Sequence, residues 1–418
     1  MDSLEKLVIL SDPASMPLAR NIHQLLEKKI KLEMPAIPSF EASNVQDICS
    51  SSPANLSPEI CALFGAMNRN VAGLKDYVDK RITAALPQFD ENALYINTFP
   101  NGEVDVDPRT NLRHKNVFLI KSLSHYVRKW NDGVSNCEIG YGVNNAIQEL
   151  KIINHTIYNA SADSITVIAL FIPYLRQDRK DRPRRPISAK VMVGDLESFG
   201  VDRVVTLEPH FQQLQGFFEN AKVDVLNADV LFADYFINKT KANNDLNNHV
   251  VVSTDLGGRK RGRDLANKLG IPYITCDKQR QKSGQVEKMD IMKPGDFCLE
   301  GKDMIIYDDM VDTGGTVFAS EKRLRQENVG RIYVCCAHPV LSGDAKKMLA
   351  DMQLPLITTD SIMVDDIDKY PNIEVVSLKY YGAEAIYAIA GQGHDPSVSR
   401  NLFNLKNYQE LKKKLDSV

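Results

Sequence analysis

The chain has 418 residues, of which 43% are hydrophobic and 25% are charged, and its formal net charge is −3. This length is enough for about two or three domains that each bury a full core. The near-neutral charge argues against a dedicated nucleic-acid or membrane-surface protein, because such proteins concentrate charge of one sign.

The cysteines and the N-terminus point to a reducing compartment. Seven cysteines occur without a CxxC or a Cys/His ligand spacing, so we expect reduced thiols rather than a disulfide framework. Residues 1–6 are charged and lack the apolar segment of a signal peptide. The longest uninterrupted apolar run, 167–172, is too short to span a bilayer. We therefore expect a cytoplasmic protein without a membrane partner.

Short apolar runs alternate with helical stretches along most of the chain. We interpret as buried strands the runs 7–10, 117–120, 165–172, 204–207, 250–252, 304–307, 332–336 and 375–376. We predict helices near 139–160, 187–199, 259–269, 316–328 and 343–352. Strands separated by helices of this length predict βαβ units and parallel sheets. A polar segment at 238–248 predicts a linker between two α/β halves, with the active site between them.

Residues 34–92 do not follow this alternation. Ser57 and Pro58 make a plausible N-cap and first helical position. Seven apolar side chains then recur at helical spacing over 60–82, and the pattern ends before Pro87. We predict a mostly helical insert whose apolar stripe packs on another surface.

Two polar segments of the N-terminal half are weak signals when each is taken alone. FPNGE at 99–103 contains an Asn-Gly pair, which is a common hairpin signal. RQDRKDRPRR at 176–185 holds six basic and two acidic residues and follows a predicted strand. Such a run is typical of a solvated loop, and a nucleic-acid patch is a weaker second interpretation.

Polar side chains in the middle of the chain follow two of the predicted strands, and a basic pair lies further along. A lone histidine such as His210 is ordinarily structural, but its position after the strand 204–207 favours a functional role. Asp255 follows the strand 250–252 and precedes two glycines. Lys278 and Arg280 form a pair of the kind that usually decorates a surface.

The most informative segment is the apolar run 304–307 with the acids and glycines that follow it. Asp308 and Asp309 would emerge at the carboxyl end of a parallel strand, where open α/β sheets place their ligands. The TGGT turn at 313–316 would then aim N–H groups at an anion at a helix N-terminus. An acid pair suits the vicinal hydroxyls of a ribose, so we interpret the segment as a 5-phosphoribosyl site. An ordinary strand-to-helix turn needs only one glycine and no acid pair.

DDMVDTGGT at 308–316 resembles the phosphoribosyl-binding loop of type I phosphoribosyltransferases and of phosphoribosyl diphosphate (PRPP) synthetases. RQDRKDRPRRPISAK at 176–190 resembles a PRPP synthetase segment that phosphoribosyltransferases lack. EPHFQQLQGFF at 208–218, STDLGG at 253–258 and DKQR at 277–280 are also similar to that family. The chain is therefore identified as a member of the PRPP synthetase family, with a resemblance over about 1–33 and 93–405.

The resemblance implies two phosphoribosyltransferase-like domains with mainly parallel sheets, an N-terminal one at 1–240 and a C-terminal one at 241–405, followed by a tail at 406–418. It implies a ribose-phosphate diphosphokinase that transfers the β,γ-diphosphoryl group of ATP to the C1 hydroxyl of ribose 5-phosphate. The products would be PRPP and AMP. The resemblance further implies Mg²⁺ as cofactor and a homo-oligomer built from dimers, with a hexamer as one option. No nucleic acid is expected as a partner.

The resemblance also implies a role for individual residues. It implies catalysis by Lys278 and Arg280, and magnesium binding by His210 and Asp255. It implies ATP binding by Phe99, Asn101, Glu103, Arg176, Gln177 and His210, of which the first three would serve a neighbouring subunit. It implies ribose-phosphate binding by Asp308, Asp309, Asp312, Thr313, Gly314, Gly315 and Thr316. Lys180 and Arg184 inherit a role in an anion-responsive regulatory site.

Departures from the family pattern leave the acceptor open. Glu208, Pro209 and Phe211 stand where the family usually has Asp, Leu and Ala, and Thr254 stands where it has Pro. The alternative is therefore a related diphosphokinase that acts on a larger ribosyl acceptor, such as ADP-ribose. The insert 34–92 leaves room for the same alternative.

Two further alternatives belong to other classes of protein. A phosphoribosyltransferase shares the ribose loop but has no use for Arg176, Gln177 or the Lys278–Arg280 pair. A non-catalytic PRPP-synthetase-associated subunit would be a regulator, and the retention of Lys278 and Arg280 argues against it.

The insert 34–92 ends just before Phe99, which in the family reaches into a neighbouring subunit. We therefore predict that the insert packs at or beside a subunit interface. The alternative is a helix that caps the N-terminal domain of its own subunit.

Overall fold

The computed structural model describes residues 6–33, 86–131, 136–241, 246–279, 288–390 and 404–417, and their side chains except at 126–141, 278–279 and 288. The predicted helix of the insert, Arg280 and the side chain of Lys278 lie outside the described residues. No helix in the described part of the chain is long and apolar enough to cross a membrane.

The N-terminal half forms a six-stranded parallel sheet with two antiparallel hairpins. Its strands are β1 (Leu7–Ser11), β2 (Gln88–Phe89), β3 (Leu94–Thr98), β4 (Val104–Pro108), β5 (Asn116–Ile120), β6 (Tyr126–Asn131), β7 (Asn136–Tyr141), β8 (Ser164–Ile168), β9 (Arg203–Leu207) and β10 (Lys222–Leu226). Its helices are α1 (Met16–Glu33), α2 (Val143–Asn159), α3 (Ser188–Glu197) and α4 (Asp229–Thr240). The sheet has the order β10-β9-β8-β5-β1-β2, while β3 pairs with β4 and β6 pairs with β7.

The C-terminal half forms a seven-stranded sheet. Its strands are β11 (His249–Ser253), β12 (Tyr273–Gln279), β13 (Lys288–Met292), β14 (Asp303–Val311), β15 (Ile332–Pro339), β16 (Leu356–Thr359) and β17 (Ile373–Val376). Its helices are α5 (Arg259–Leu269), α6 (Gly315–Arg325), α7 (Ala345–Asp351), α8 (Lys379–Ala390) and α9 (Leu405–Asp416). The order is β13-β12-β11-β14-β15-β16-β17, and only the edge pair β12–β13 is antiparallel.

The apolar sequences of the strands explain why each sheet is covered by helices on both faces. All five residues of β1 are buried, because a parallel strand is covered by helices on both faces. Leu7 and Ile9 belong to one core cluster, and Val8 and Leu10 belong to another on the opposite face. The first cluster continues into the C-terminal half, where it includes Ile305 of β14, so one core joins the two halves.

Helices α1 and α8 pack against each other across the two halves. A Cβ on Gly382 of α8 would lie 2.2 Å from Cδ1 of Ile22 in α1, so any larger residue there would require Ile22 to move. The predicted fold class, α/β with mainly parallel sheets, is confirmed.

The predicted elements differ from the structure in several places. The helix predicted at 259–269 coincides with α5, but the strand predicted at 165–172 ends at Ile168. The linker predicted from residue 238 begins too early, since α4 continues to Thr240 and buries Phe236 in the shared core. The division of the chain at 240/241 stays a proposal.

Candidate active site

The segment 304–316, called the ribose loop below, forms the predicted strand, turn and helix start. β14 continues to Val311, and α6 begins at Gly315. Gly314 has a φ of 77°, in the left-handed region that glycine adopts without strain. A Cβ on Gly314 would lie 2.4 Å from Cε2 of Phe318, so the turn excludes any side chain there.

Asp308 and Asp309 lie side by side at the end of this strand. The hydroxyl of Thr254 donates to Oδ2 of Asp308 at 2.6 Å, and the Asp309 N–H donates to Oδ1 of Asp308 at 2.9 Å. Nδ1 of His210 lies 2.8 Å from Oδ2 of Asp309, whose residue is only 3% exposed. Donation of this hydrogen bond to the Asp309 carboxylate raises the pKa of His210.

Arg261 of α5 faces the same two acids from inside the protein. Its Nη1 lies 3.6 Å from Oδ1 of Asp309 and 3.8 Å from Oδ1 of Asp308. Its Nε donates to Oε1 of Glu208 at 2.9 Å. Burial alone would lower the pKa of Arg261, but Asp309 and Glu208 outweigh it and raise that pKa, so the guanidinium stays charged.

Asp255 occupies the turn between β11 and α5. Its Oδ1 accepts a hydrogen bond from the Gly258 N–H at 2.7 Å, which fixes the carboxylate at the start of the helix. A Cβ on Gly262 would lie 2.4 Å from Oγ of Ser253 and 2.7 Å from Cε2 of Tyr273. The missing side chain at Gly262 therefore allows α5 to lie close against β11.

One cleft of about 620 Å³ brings these groups together with the basic segment. Its walls include six of the residues that the sequence pointed to, namely Arg176, Gln177, His210, Asp255, Asp308 and Asp309. Nη1 of Arg176 donates to Oδ2 of Asp312 at 2.6 Å and so links the basic segment to the ribose loop. Oε1 of Gln177 accepts from the hydroxyl of Ser188 at 2.6 Å.

Other predicted residues lie outside this cleft. Phe99, Asn101 and Glu103 are exposed on the β3–β4 turn, where Nδ2 of Asn101 donates to Oε2 of Glu103 at 2.8 Å. Asp312 and 313–316 lie beside the cleft rather than among its walls.

The predicted catalytic pair is only partly described. The backbone of Lys278 lies in β12, which pairs with β11 through Thr275 and Ser253. Lys278 follows Thr275 by three positions, so its backbone lies toward the sheet edge where Asp255 follows β11. The catalytic role of Lys278 and Arg280 stays a prediction.

The structure adds residues that the sequence reasoning did not assign to the site. Arg261, Lys260, Arg179 and Arg185 line the cleft, and Glu208 lies behind it. The basic run RKRGR at 259–263 directly follows the Asp255 turn and was the signal that could have identified Arg261.

Both halves of the chain are similar to known proteins. A family model for the N-terminal domain of ribose phosphate pyrophosphokinase matches residues 62–200, and a phosphoribosyl transferase domain model matches residues 229–362. Ribose-phosphate pyrophosphokinase 1 of Listeria innocua is 36% identical over 287 residues, which cover 68% of this chain and 82% of that protein. The chain belongs to the ribose-phosphate pyrophosphokinase family. The family resemblance drawn from the motifs is thus confirmed.

Further relatives agree with this membership. The ribose-phosphate pyrophosphokinase of Campylobacter jejuni is 34% identical over 305 residues, which cover 73% of this chain and 89% of that protein. The crystal structure of phosphoribosylpyrophosphate synthetase from Mycobacterium smegmatis superposes with a TM-score of 0.62 at 28% identity. That superposition covers 77% of this chain and 96% of the other.

Proposed function

We propose that this protein binds ATP in the 620 Å³ cleft and ribose 5-phosphate between the acid pair of that cleft and the adjoining turn at 313–316, and converts them to PRPP and AMP. The observation that carries the proposal is the shared cleft, in which basic residues of the N-terminal half face an acid pair of the C-terminal half. Cations suit the triphosphate of ATP, and the acid pair suits the hydroxyls of a ribose.

The acceptor is placed by the C-terminal half. Asp308 and Asp309 accept hydrogen bonds from the ring hydroxyls of ribose 5-phosphate. The N–H groups of residues 313–316, at the start of α6, bind its 5-phosphate, because a helix N-terminus favours an anion. Asp312, which is paired with Arg176, joins this loop to the basic segment at 176–185.

The nucleotide is placed by the N-terminal half. Arg176 and Gln177 contact ATP, and Arg179 and Arg185 add positive charge to the same wall. In the reaction the C1 oxygen forms a bond to the β-phosphorus of ATP. The bond from that phosphorus to the α,β-bridging oxygen breaks, AMP leaves with that oxygen, and the hydroxyl proton passes to solvent. Lys278 and Arg280 stabilise the developing charge.

Magnesium fits the donor groups at this cleft. In the described part of the chain, no group of three or more His, Cys, Asp or Glu side chains could enclose a metal alone. Mg²⁺ commonly keeps waters and takes substrate phosphates with one or two carboxylates. Asp255 and His210, which both line the cleft, would hold the ion. When bound, it would screen the charge of the triphosphate.

The exposed β3–β4 turn concerns the contact between subunits. Phe99 is 44% exposed and lies outside its own cleft. We propose that Phe99, Asn101 and Glu103 contact the adenine bound by a neighbouring subunit of a homo-oligomer.

An assay of products tests the proposed function. Purified protein is incubated with ATP and Mg²⁺, and with either ribose 5-phosphate or ADP-ribose, and nucleotides are separated by chromatography. We expect AMP and PRPP in equal amounts with ribose 5-phosphate. Formation of ADP alone, or of no nucleotide product with either acceptor, contradicts diphosphoryl transfer. AMP formed only with ADP-ribose assigns the larger acceptor.

A further inference from the structure

Arg261 is a largely buried cation beside the acid pair, at the wall of the cleft. Its side chain is 9% exposed. One edge of the guanidinium faces Asp308 and Asp309 at 3.8 and 3.6 Å, and its Nε donates to Glu208 at 2.9 Å. Arg261 therefore contacts three carboxylates, and its charge opposes their mutual repulsion.

Glu208 is itself held firmly. Its Oε2 accepts hydrogen bonds from the Ala228 N–H at 2.8 Å and from the Tyr307 hydroxyl at 3.1 Å. Its backbone φ is 40°, which a residue with a side chain rarely adopts. Such a conformation persists where the surroundings fix it. Arg261 is thus bonded to a carboxylate that has little freedom to move.

The Glu208–Arg261 pair also joins the two halves of the protein. Glu208 follows β9 of the first sheet, whereas Arg261 and Tyr307 belong to the second half. His210, two positions after Glu208, reaches Asp309 from the same side. Asp309 therefore contacts His210 through one carboxylate oxygen and Arg261 through the other, and Arg261 is in turn bonded to Glu208.

We propose that Arg261 is a positioning residue that holds Asp308 and Asp309 in the arrangement that accepts the ribosyl hydroxyls. Arg261 acts through the two acids and does not touch the reacting atoms. Glu208 sets the orientation of Arg261. This inference rests on the function proposed above, because the acceptor is the ligand whose binding it predicts.

Steady-state kinetics with each substrate varied in turn test this role in R261M, R261K and E208Q. We expect R261M to raise KM for ribose 5-phosphate by about tenfold or more and KM for ATP by less than about threefold, since the two acids that Arg261 holds bind the acceptor and not ATP. R261K keeps the charge and should recover part of the loss. E208Q should give a smaller rise of the same kind.

Arg263 provides a matched control, because it is exposed on the same helix. R263M should leave both KM values within about twofold of wild type, as exposed substitutions usually do. Thermal unfolding followed by circular dichroism accompanies each variant, since removing one partner of a buried ion pair is destabilising.

The outcomes separate the inference from the proposed function. A wild-type enzyme that forms no AMP from ATP and ribose 5-phosphate contradicts the function itself. With an active wild type, an unchanged KM for ribose 5-phosphate in folded R261M overturns the positioning role. Equal rises of both KM values in R261K and R261M overturn it as well, since they indicate a general structural role. If R261M does not fold, R261K and E208Q are used instead. An unchanged KM for ribose 5-phosphate in both of these variants overturns the positioning role of Arg261.

Discussion

Asp308 and Asp309 are neighbours of the same type, yet their surroundings shift their pKa values in opposite directions. Burial and the charge of Asp309 raise the pKa of Asp308. Burial acts on Asp309 as well, but the hydrogen bond from His210 and the charge of Arg261 outweigh it and lower its pKa. Asp309 therefore keeps its negative charge at neutral pH and is the stronger acceptor of the two.

Asp309→Asn tests this difference at the level of one residue. Asparagine keeps the size but removes the charge, so the contacts to His210 and Arg261 weaken together with those to the acceptor. We expect KM for ribose 5-phosphate to rise by about tenfold to a hundredfold, and KM for ATP to change much less. Asp351→Asn, at an exposed position of α7, is the control. Equal KM values for wild type and D309N would remove Asp309 from acceptor binding.

Lys278→Ala tests the predicted catalytic pair. A cation aimed at charge that develops during transfer acts mainly in the transition state, so kcat should fall by about a hundredfold or more. KM for ATP should change much less. Steady-state rates of AMP release measure both, with Lys347→Ala, exposed on α7, as the matched substitution. A near-normal kcat would show that Lys278 takes no part in the chemistry.

At the scale of elements, the contact between α5 and β11 sets the positions of three residues of the site. Asp255 lies in the turn between them, Arg261 lies in the first turns of α5, and Thr254 directly follows β11. The close contact depends on Gly262, since an added Cβ would overlap Ser253 and Tyr273. A shift of the helix would therefore move Arg261 away from the acid pair.

Gly262→Ala should both destabilise the protein and weaken acceptor binding. Overpacking of this kind costs about 1–3 kcal/mol of unfolding free energy, measured by urea titration. Gly194→Ala is a matched control, because a Cβ at this helical position of α3 would meet nothing within 4 Å. Alanine there should stabilise by about 0.5–1 kcal/mol through helix propensity. Similar free energies for G262A and wild type would show that the contact tolerates a methyl group.

At the scale of the whole molecule, side chains of one half form hydrogen bonds and packing contacts with the other half. Nε2 of His338 in β15 donates to the carbonyl oxygen of Leu207 in β9 at 2.9 Å. Helix α9 buries Tyr408 and Leu415 in the shared core, and Lys412 of α9 pairs with Asp234 of α4 at 2.9 Å. The segment predicted as a tail thus forms a helix that packs on the rest of the protein.

His338 should make stability depend on pH. Burial lowers its pKa below the ordinary value of about 6.5, so the folded state binds a proton less readily than the unfolded state. Its contribution to stability is therefore fully present above the ordinary pKa and declines as the pH falls below it. We expect the difference in unfolding free energy between wild type and H338Q to shrink from about pH 7.5 to about pH 5.5.

Urea unfolding at several pH values measures this difference. The exposed His155 provides H155Q as the reference for replacing a solvent-facing histidine. A difference between wild type and H338Q that stays constant across this range would contradict the prediction.

The insert offers a test at the level of the assembly. β2 pairs with β1, so a replacement of residues 36–84 by a short Gly-Ser linker leaves the first sheet complete. If the apolar stripe over 60–82 packs at a subunit interface, as predicted, the mass measured by light scattering should fall. An unaltered mass with unaltered activity would favour the alternative, in which the insert caps its own subunit.

The local pattern of the chain determined the fold class and the strand, turn and helix of the segment 304–316. Buried strands such as β1 and β14 are continuous apolar runs, and the turn at Gly314 follows from residues adjacent in sequence. Helix α8 escaped prediction because seven consecutive residues, 380–386, are buried, so it has no polar face to create a helical period. The strand β16 has only four residues, which are too few for an apolar run or an alternation to predict a strand.

Only the tertiary structure decided how the site is held together. His210 and Asp309 are 99 positions apart, and Glu208 and Arg261 are 53 positions apart. No local period relates such pairs, because they meet only when the carboxyl ends of β9, β11 and β14 converge. The sequence by itself therefore determined the strand, turn and helix of the segment 304–316, and its role in binding a ribosyl phosphate stays a prediction. The packing of the two sheets decided which cation neutralises the acid pair and which residue holds that cation in place.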